Sequence, residues 1–326
     1  MKIIVDAFGG DNAPLEIIKG CGLAVSEYGV DIVLVGKGET INKIISENNI
    51  SSKGIIIVNA KSVITMKDNP LLVIKGKKDS SMSVGLSLLA NGDGDAFVSA
   101  GNTGALLSGA TLIVKRIKGI KRAAIGILMP TNEGPAMLID GGANVDDKPE
   151  YLVQYGVMGS IYMNKVLCIK NPKVGLINNG SEETKGNELY LETHSLLKNS
   201  PVNFIGNIEG RDIPLGKADV IVADGFTGNI ILKTVEGMGL AFISNLKDVF
   251  YKNAITKFAA LILKKELKAF KKKLDYTEYG GAPLMGISKP VIKAHGSSNA
   301  KSFKNAIRQA KQFCEANVIS EIKKSL

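Results

Sequence analysis

The chain has 326 residues, 45% of them hydrophobic and 22% charged, with a formal charge of +10. That is a globular composition with enough apolar residues for a large core, and no run approaches the roughly 18 apolar residues of a membrane span. The basic excess suits phosphorylated ligands, acidic proteins, anionic membranes or nucleic acid, and does not choose among them.

Strands are predicted at residues 2–5, 31–35, 54–58, 95–99, 136–140, 173–177, 202–205, 219–223 and 291–294. Many are apolar throughout, as in sheets covered on both faces. Helical patterns fall between them, at 15–28, 40–48, 83–90, 103–115, 149–165, 187–197, 229–251 and 300–316. This alternation predicts a three-layer α/β fold with a largely parallel sheet. The chain reads as one large α/β unit over 1–326, with 247–275 as a helical extension. The N-terminus enters a strand at once, unlike a signal peptide, so a cytoplasmic protein with at most peripheral membrane contact is expected.

Three scattered cysteines, Cys21, Cys168 and Cys314, form no C-x-x-C and fit a reducing compartment. Each has apolar neighbours and is expected to be a small core filler. His194 and His295 are the only histidines, which excludes a histidine-rich metal site. His194, late in a helical pattern, is expected at the surface or as a C-terminal cap. No metal and no cofactor is expected. P-loop, dinucleotide and nucleophile-elbow motifs are absent.

Two strand-to-helix turns share the form x-G-x-T-G: Ala100-Gly101-Asn102-Thr103-Gly104 and Asp224-Gly225-Phe226-Thr227-Gly228. A third turn, His295-Gly296-Ser297-Ser298-Asn299, has the same placement. Glycines and hydroxyls at helix starts beyond the carboxyl ends of strands suit anion binding. The same residue types also serve as plain helix N-caps. Three such turns on one sheet would form a shared phosphate site. Asp6, Asp11 and Asn12 follow the first strand, where they serve either a glycine turn or a ligand.

Between Lys247 and Lys273, nine lysines stand against Asp248 and Glu266, a surplus of seven. On a helical wheel, Ile255, Phe258, Ala259, Ile262, Leu263, Leu267, Phe270 and Leu274 share one half, and most of the lysines share the other. Such a helix packs on the core, covers an acyl chain or a second subunit, or lies on an anionic bilayer. Lys257, Phe258, Ile262, Lys264, Lys265 and Lys268 are the candidate docking residues. The segment lacks the interleaved aromatics of single-strand binders, and a nucleic-acid role is not expected.

Several segments together carry a family resemblance: DAFGGDNAP at 6–14, SAGNTGA at 99–105, DGGANVDDKPEYLVQ at 140–154 and GLINNGSEETKGN at 175–187. FIGNIEGRDI at 204–213, DGFTGN at 224–229, YGGAPLMG at 279–286 and HGSS at 295–298 follow in order. The chain resembles the PlsX-type phosphate acyltransferases of bacteria. The resemblance implies a homodimer with a fold similar to phosphotransacetylases and isocitrate dehydrogenase-like enzymes. It implies transfer of a fatty acyl group from acyl carrier protein to inorganic phosphate, giving acyl phosphate that a membrane acyltransferase passes to glycerol 3-phosphate.

Such a reaction needs a held phosphate and donors for a tetrahedral oxyanion. No activated Ser or Cys nucleophile is evident, so direct attack by phosphate is expected. Gly101, Asn102, Thr103, Gly104, Gly225, Thr227, Gly228, Ser297 and Ser298 are the candidate phosphate-binding residues. Lys185 would neutralise phosphate or oxyanion, and Asn229 would donate to the carbonyl oxygen. His295 would assist the leaving thiolate or orient phosphate, with Asp224 as an orienting partner. A phosphotransacetylase using coenzyme A thioesters is the nearest rival. A nicotinamide-dependent dehydrogenase and a non-catalytic membrane or nucleic-acid binder are more distant ones.

Overall fold

The computed structural model describes residues 1–274 and 279–326. The chain opens with β1 (Lys2–Asp6), α1 (Leu15–Tyr28), β2 (Asp31–Gly36), α2 (Gly38–Glu47) and β3 (Ile55–Asn59). Then come α3 (Leu72–Lys75), α4 (Ser81–Asn91), β4 (Ala96–Ser99) and α5 (Thr103–Gly109), which continues as a π-helical turn over Ala110–Val114. Two short strands, β5 (Ala124–Ile125) and β6 (Ile127–Thr131), precede β7 (Gly134–Ile139), α6 (Pro149–Leu167), β8 (Lys173–Asn178) and α7 (Glu188–Lys198). Next are β9 (Asn203–Glu209), β10 (Val220–Val222), α8 (Gly225–Phe250), α9 (Ala254–Ile262) and α10 (Lys264–Leu274). The described chain closes with β11 (Ala282–Met285), β12 (Val291–Lys293), α11 (Ala300–Glu315) and α12 (Val318–Lys324).

The mixed α/β class and the mostly parallel pairing match expectation, but the strands form two sheets rather than one. The first has the order β3-β2-β1-β4-β12-β11-β5 and the second β6-β7-β10-β8-β9. Among the described strands, only β11 with its two neighbours and β6 with β7 pair antiparallel. The chain crosses between sheets at Gly126, whose amide bonds Pro283 O at 3.0 Å. β5 ends the first sheet and β6 begins the second, so a seam joins them there.

Alternation along β1 builds the three layers of the first sheet. Ile3 and Val5 pack with α1 and α11 through Ile17, Cys21, Phe303 and Ile307. Ile4 points to the other face, with Met82, Leu86 and Leu106 of α4 and α5. Full burial of both faces explains why these strands carry no polar alternation. The second sheet shares its core with α6, α7 and α12, including the fully buried Tyr155 and Tyr162.

Three expectations change. His194 is buried, not a surface or capping residue, and its ring meets Phe204 edge-on with centroids 5.1 Å apart. Cys168 is exposed at the left-handed end of α6, while Cys21 is buried. The segment 247–275 is no single helix: α8 ends at Phe250, and Asn253 then caps α9 in a reciprocal pair with Thr256.

Of the 26 residues of α8, only Gly225 and Gly228 are buried. Met238, Leu240, Phe242 and Val249 are exposed. α9 has no buried residue, and Ile255, Phe258 and Ile262 are 81%, 66% and 66% exposed. Lys257, Lys264, Lys265 and Lys268 are exposed along the same arm. Asp275 and the side chains of Lys271, Lys272, Lys273 and Leu274 lie outside the described residues. Among the described residues, no helix is long and apolar enough to cross a membrane.

Candidate active site

The first turn stands at the carboxyl end of β4. Ser99 Oγ donates to the buried Asp6 Oδ2 at 2.8 Å and accepts the Gly101 amide at 3.0 Å. Gly9 crosses so near that a Cβ there would stand 2.6 Å from the Gly101 nitrogen. Asn102 is the N-cap of α5: its Oδ1 accepts the Ala105 amide at 3.0 Å. Its amide nitrogen lies within 3.3 Å of the carbonyls of Thr65, Met66 and Asp68. Asn102 is therefore occupied at both ends, and among the described residues the neighbouring Thr103 hydroxyl is the side-chain donor of this turn without a partner.

The second turn belongs to the other sheet, after β10. Asp224 caps α8 by accepting the Thr227 amide at 2.9 Å and the Thr227 hydroxyl at 2.6 Å. Tyr190 of α7 also donates its phenol to Asp224. The Gly225 amide donates to Asp147 Oδ2 at 3.1 Å. Burial chiefly pushes the Asp147 carboxyl up, as does the nearby charge of Asp224. The donors expected to cradle phosphate here thus serve the protein's own carboxylates. The glycines have a packing reason instead: a Cβ at Gly225 would meet Asn144 O at 2.1 Å, and one at Gly228 would meet Asp140 O at 1.8 Å.

Asp140 organises the seam beside α8. It is fully buried and accepts amides from Ile125, Gly142, Ala143 and Asn144 at 2.9–3.2 Å. The Asn144 side chain adds a bond of 2.8 Å. Burial raises its carboxyl to about 6 against these donors. The Asp140 carboxylate therefore ties β5 to the loop after β7, and its backbone carbonyl lies against Gly228 at the start of α8.

The third turn follows β12. His295 Nδ1 lies 2.8 Å from Ser297 Oγ and accepts the Ser297 amide at 3.3 Å, which puts the proton of the neutral ring on Nε2. Burial chiefly lowers the imidazole, with the charge of Glu236 opposing. Ser298 Oγ donates to His295 O at 2.7 Å, and Asn12 Nδ2 bonds the carbonyls of Ser297 and Ser298. The first-strand loop therefore braces this turn.

A cavity of about 470 Å³ opens where the two sheets meet. Thr103, Asn229, His295 and Ser298 line it together, with Asp11, Lys233 and Glu236 at its polar side. Ile125, Ile127, Leu128, Leu232 and Tyr279 form an apolar wall. Asn229 is placed here by the tight start of α8, and its side chain has no hydrogen-bond partner among the described residues. Gly101, Gly104, Gly225, Thr227, Gly228 and Ser297 belong to the turns around this cavity without lining it.

Lys185 is not among the lining residues. It is exposed on the loop between β8 and α7, where its carbonyl accepts from Asn178 Nδ2 at 3.1 Å. β8 neighbours β10 in parallel, so the loop rises on the same rim of the second sheet as Asp224. Lys293 is the residue that sequence reasoning missed. It is the last residue of β12, lines the cavity, and is only 9% exposed. A lysine closing the apolar strand Val291-Ile292-Lys293 just before His295 was the available signal.

The model of the fatty acid synthesis protein family matches residues 1–321. A phosphate acyltransferase of Thermoanaerobacterium thermosaccharolyticum is 51% identical over the whole chain and 97% of its own length. Another, from Alkaliphilus oremlandii, is 50% identical, covering 99% of this chain and 96% of the relative. Among solved structures, a phosphotransacetylase from Streptococcus pyogenes superposes with a TM-score of 0.67 at 18% identity, over 97% of this chain and 94% of that one. A 4-hydroxythreonine-4-phosphate dehydrogenase from Klebsiella pneumoniae gives 0.55 at 14% identity, over 96% and 98%. These likenesses show the fold. The sequence matches show more: the chain belongs to the fatty acid synthesis protein family, as a PlsX-type phosphate acyltransferase that transfers an acyl group to phosphate.

Proposed function

We propose that the cavity transfers a fatty acyl group from an acyl carrier protein thioester to inorganic phosphate, and that the acyl phosphate enters phospholipid synthesis. The observation that carries this reading is the seam itself, where an apolar wall and the polar groups of Thr103, Asn229, His295 and Ser298 line one cavity.

In this reading phosphate lies against the Thr103 hydroxyl and the turn of Ser298. One of its oxygens attacks the thioester carbonyl carbon, forming the C–O bond. The carbonyl oxygen takes up the charge and receives a hydrogen bond from the Asn229 amide, whose donors have no other partner among the described residues. Collapse breaks the C–S bond, and the thiolate leaves as the thiol, taking through His295 the proton that the attacking hydrogen phosphate gives up. Asp224 acts as a positioning residue by fixing the start of α8. Lys185, on the rim, meets negative charge at the mouth of the site.

Acyl carrier protein is acidic as a class, and the lysines of α9 and α10 suit an acidic partner. The same arm presents Phe258 and Ile262 to solvent, a pattern that suits an anionic membrane surface. The exposed apolar face of α8 suits a second copy of the chain, giving a homodimer. The protein then acts in the cytoplasm at the membrane surface and hands its product to a membrane glycerol-3-phosphate acyltransferase.

Turnover of one acyl chain presented on acyl carrier protein and on coenzyme A tests the donor. Preference for the carrier protein supports the reading, and preference for coenzyme A replaces it with a phosphotransacetylase.

A further inference from the structure

We propose that Lys293 is the cation that holds the acceptor phosphate, its ammonium binding phosphate oxygens from the floor of the cavity; this rests on the phosphate-acceptor reading above.

Lys293 ends β12 in register with Ser99, between the buried Ile292 and Ala294. Its Nζ bonds Ala100 O at 3.3 Å and also the carbonyl of Ala294. An ammonium has three donors. Two carbonyls take two of them, and the third remains for the cavity that the side chain lines.

The carbonyl of Ala100 opens the Gly101–Gly104 turn, and Ala294 precedes His295. The charge therefore sits between the two turns of the first sheet that flank the cavity.

A structural lysine in such a place is normally paired, because an uncompensated buried charge is costly. Lys293 forms no salt bridge within 4.0 Å among the described residues. Several charged groups face it. They are Asp6 at the end of β1, Asp11 in the loop beyond, Lys233 from α8, and His295 on its own segment with Glu236 opposite. The two aspartates favour the charged form, and Lys233 opposes it. Burial, the largest influence, brings the ammonium down to about 8. It thus remains charged at neutral pH, favoured by Asp11 and Asp6 at a distance and donating to two carbonyls, with no carboxylate in direct contact among the described residues. A phosphate dianion in the cavity supplies that direct contact.

The test compares wild type, Lys293→Met and Lys293→Arg in the full chain, and titrates inorganic phosphate calorimetrically with no acyl donor present. Lys293→Met should weaken phosphate binding at least about 30-fold, with the KM for the acyl thioester within about twofold of wild type. Lys293→Arg should restore part of the loss. Phosphate affinity within about threefold of wild type in folded Lys293→Met overturns the proposal.

Should Lys293→Met fail to fold, Lys293→Gln in the same titration decides, and phosphate affinity within about threefold of wild type in that folded variant overturns the proposal. Loss of acyl transfer with phosphate binding intact in wild type would instead count against the parent reading alone.

Discussion

Gly228 lies against the carbonyl oxygen of Asp140 so closely that a Cβ would stand 1.8 Å from it. This contact joins the start of α8 to the loop after β7, and so sets where Asn229 enters the cavity. Because the atom it meets is backbone, relief requires movement of the seam. Gly228→Ala should destabilise the fold by about 1–3 kcal/mol, the usual cost of overpacking, with a lower Tm by calorimetry. An unchanged Tm with normal turnover would show that the two segments are not in contact in solution.

Asn229 and Lys185 carry different expectations. Asn229→Ala removes a donor at the cavity wall and should lower kcat by about 100-fold, as loss of an oxyanion donor does. An effect confined to the KM for phosphate would contradict the oxyanion role. Lys185→Ala should lower kcat/KM by at least about 100-fold if the rim charge takes part in the reaction. Near-normal kinetics in the folded variant would remove Lys185 from the mechanism and leave its exposed position as the whole account.

Lys293 links pH to stability. Its folded value of about 8 lies below the ordinary lysine value of 10.5. The unfolded chain therefore binds more protons between those limits, and this lysine's cost to the fold is complete below about pH 8 and fades as pH rises towards 10.5. Lys293→Met should raise unfolding free energy by about 1–3 kcal/mol at pH 7, after loss of two carbonyl contacts, and the gain should shrink in alkali. Denaturant unfolding at pH 7 and pH 10 checks this. A variant equally less stable at both would show that the charge supports the fold rather than straining it.

The arm is tested with liposomes. Wild type should float with anionic vesicles and lose that behaviour in high salt. The double substitution Phe258→Glu with Ile262→Glu should abolish flotation while leaving the unfolding transition of the body in place. Equal flotation of both proteins, or of neither, would sink membrane binding by α9.

Much of this fold is legible in local pattern. The strand ending at Ser99 and the helix over Leu15–Tyr28 follow from apolar runs and from glycine at the helix end, where Gly29 takes φ 62°. The short strands β5, β6 and β11 escape such reading. Gly126, Pro130 and Pro283 interrupt their pattern, and β5 and β11 pair with each other from distant parts of the sequence. The division into two sheets depends on these strands, so it was hidden too.

The turns were visible as strand-to-helix junctions, but their bonding was not. Asp147 meets Gly225 across 78 positions and Tyr190 meets Asp224 across 34. Only the fold reveals that the second turn is capped from within. For Lys293 the sequence offers only its place at the end of an apolar strand before His295, and its burial shows in the fold.

The most direct test mixes the purified protein with palmitoyl-acyl carrier protein and inorganic phosphate, then traps acyl phosphate with hydroxylamine. The account predicts acyl hydroxamate that requires both phosphate and enzyme, with no acyl group on the protein by mass spectrometry. Hydroxamate formed without phosphate, or an acylated protein on the route to product, would contradict direct attack by phosphate in the seam cavity.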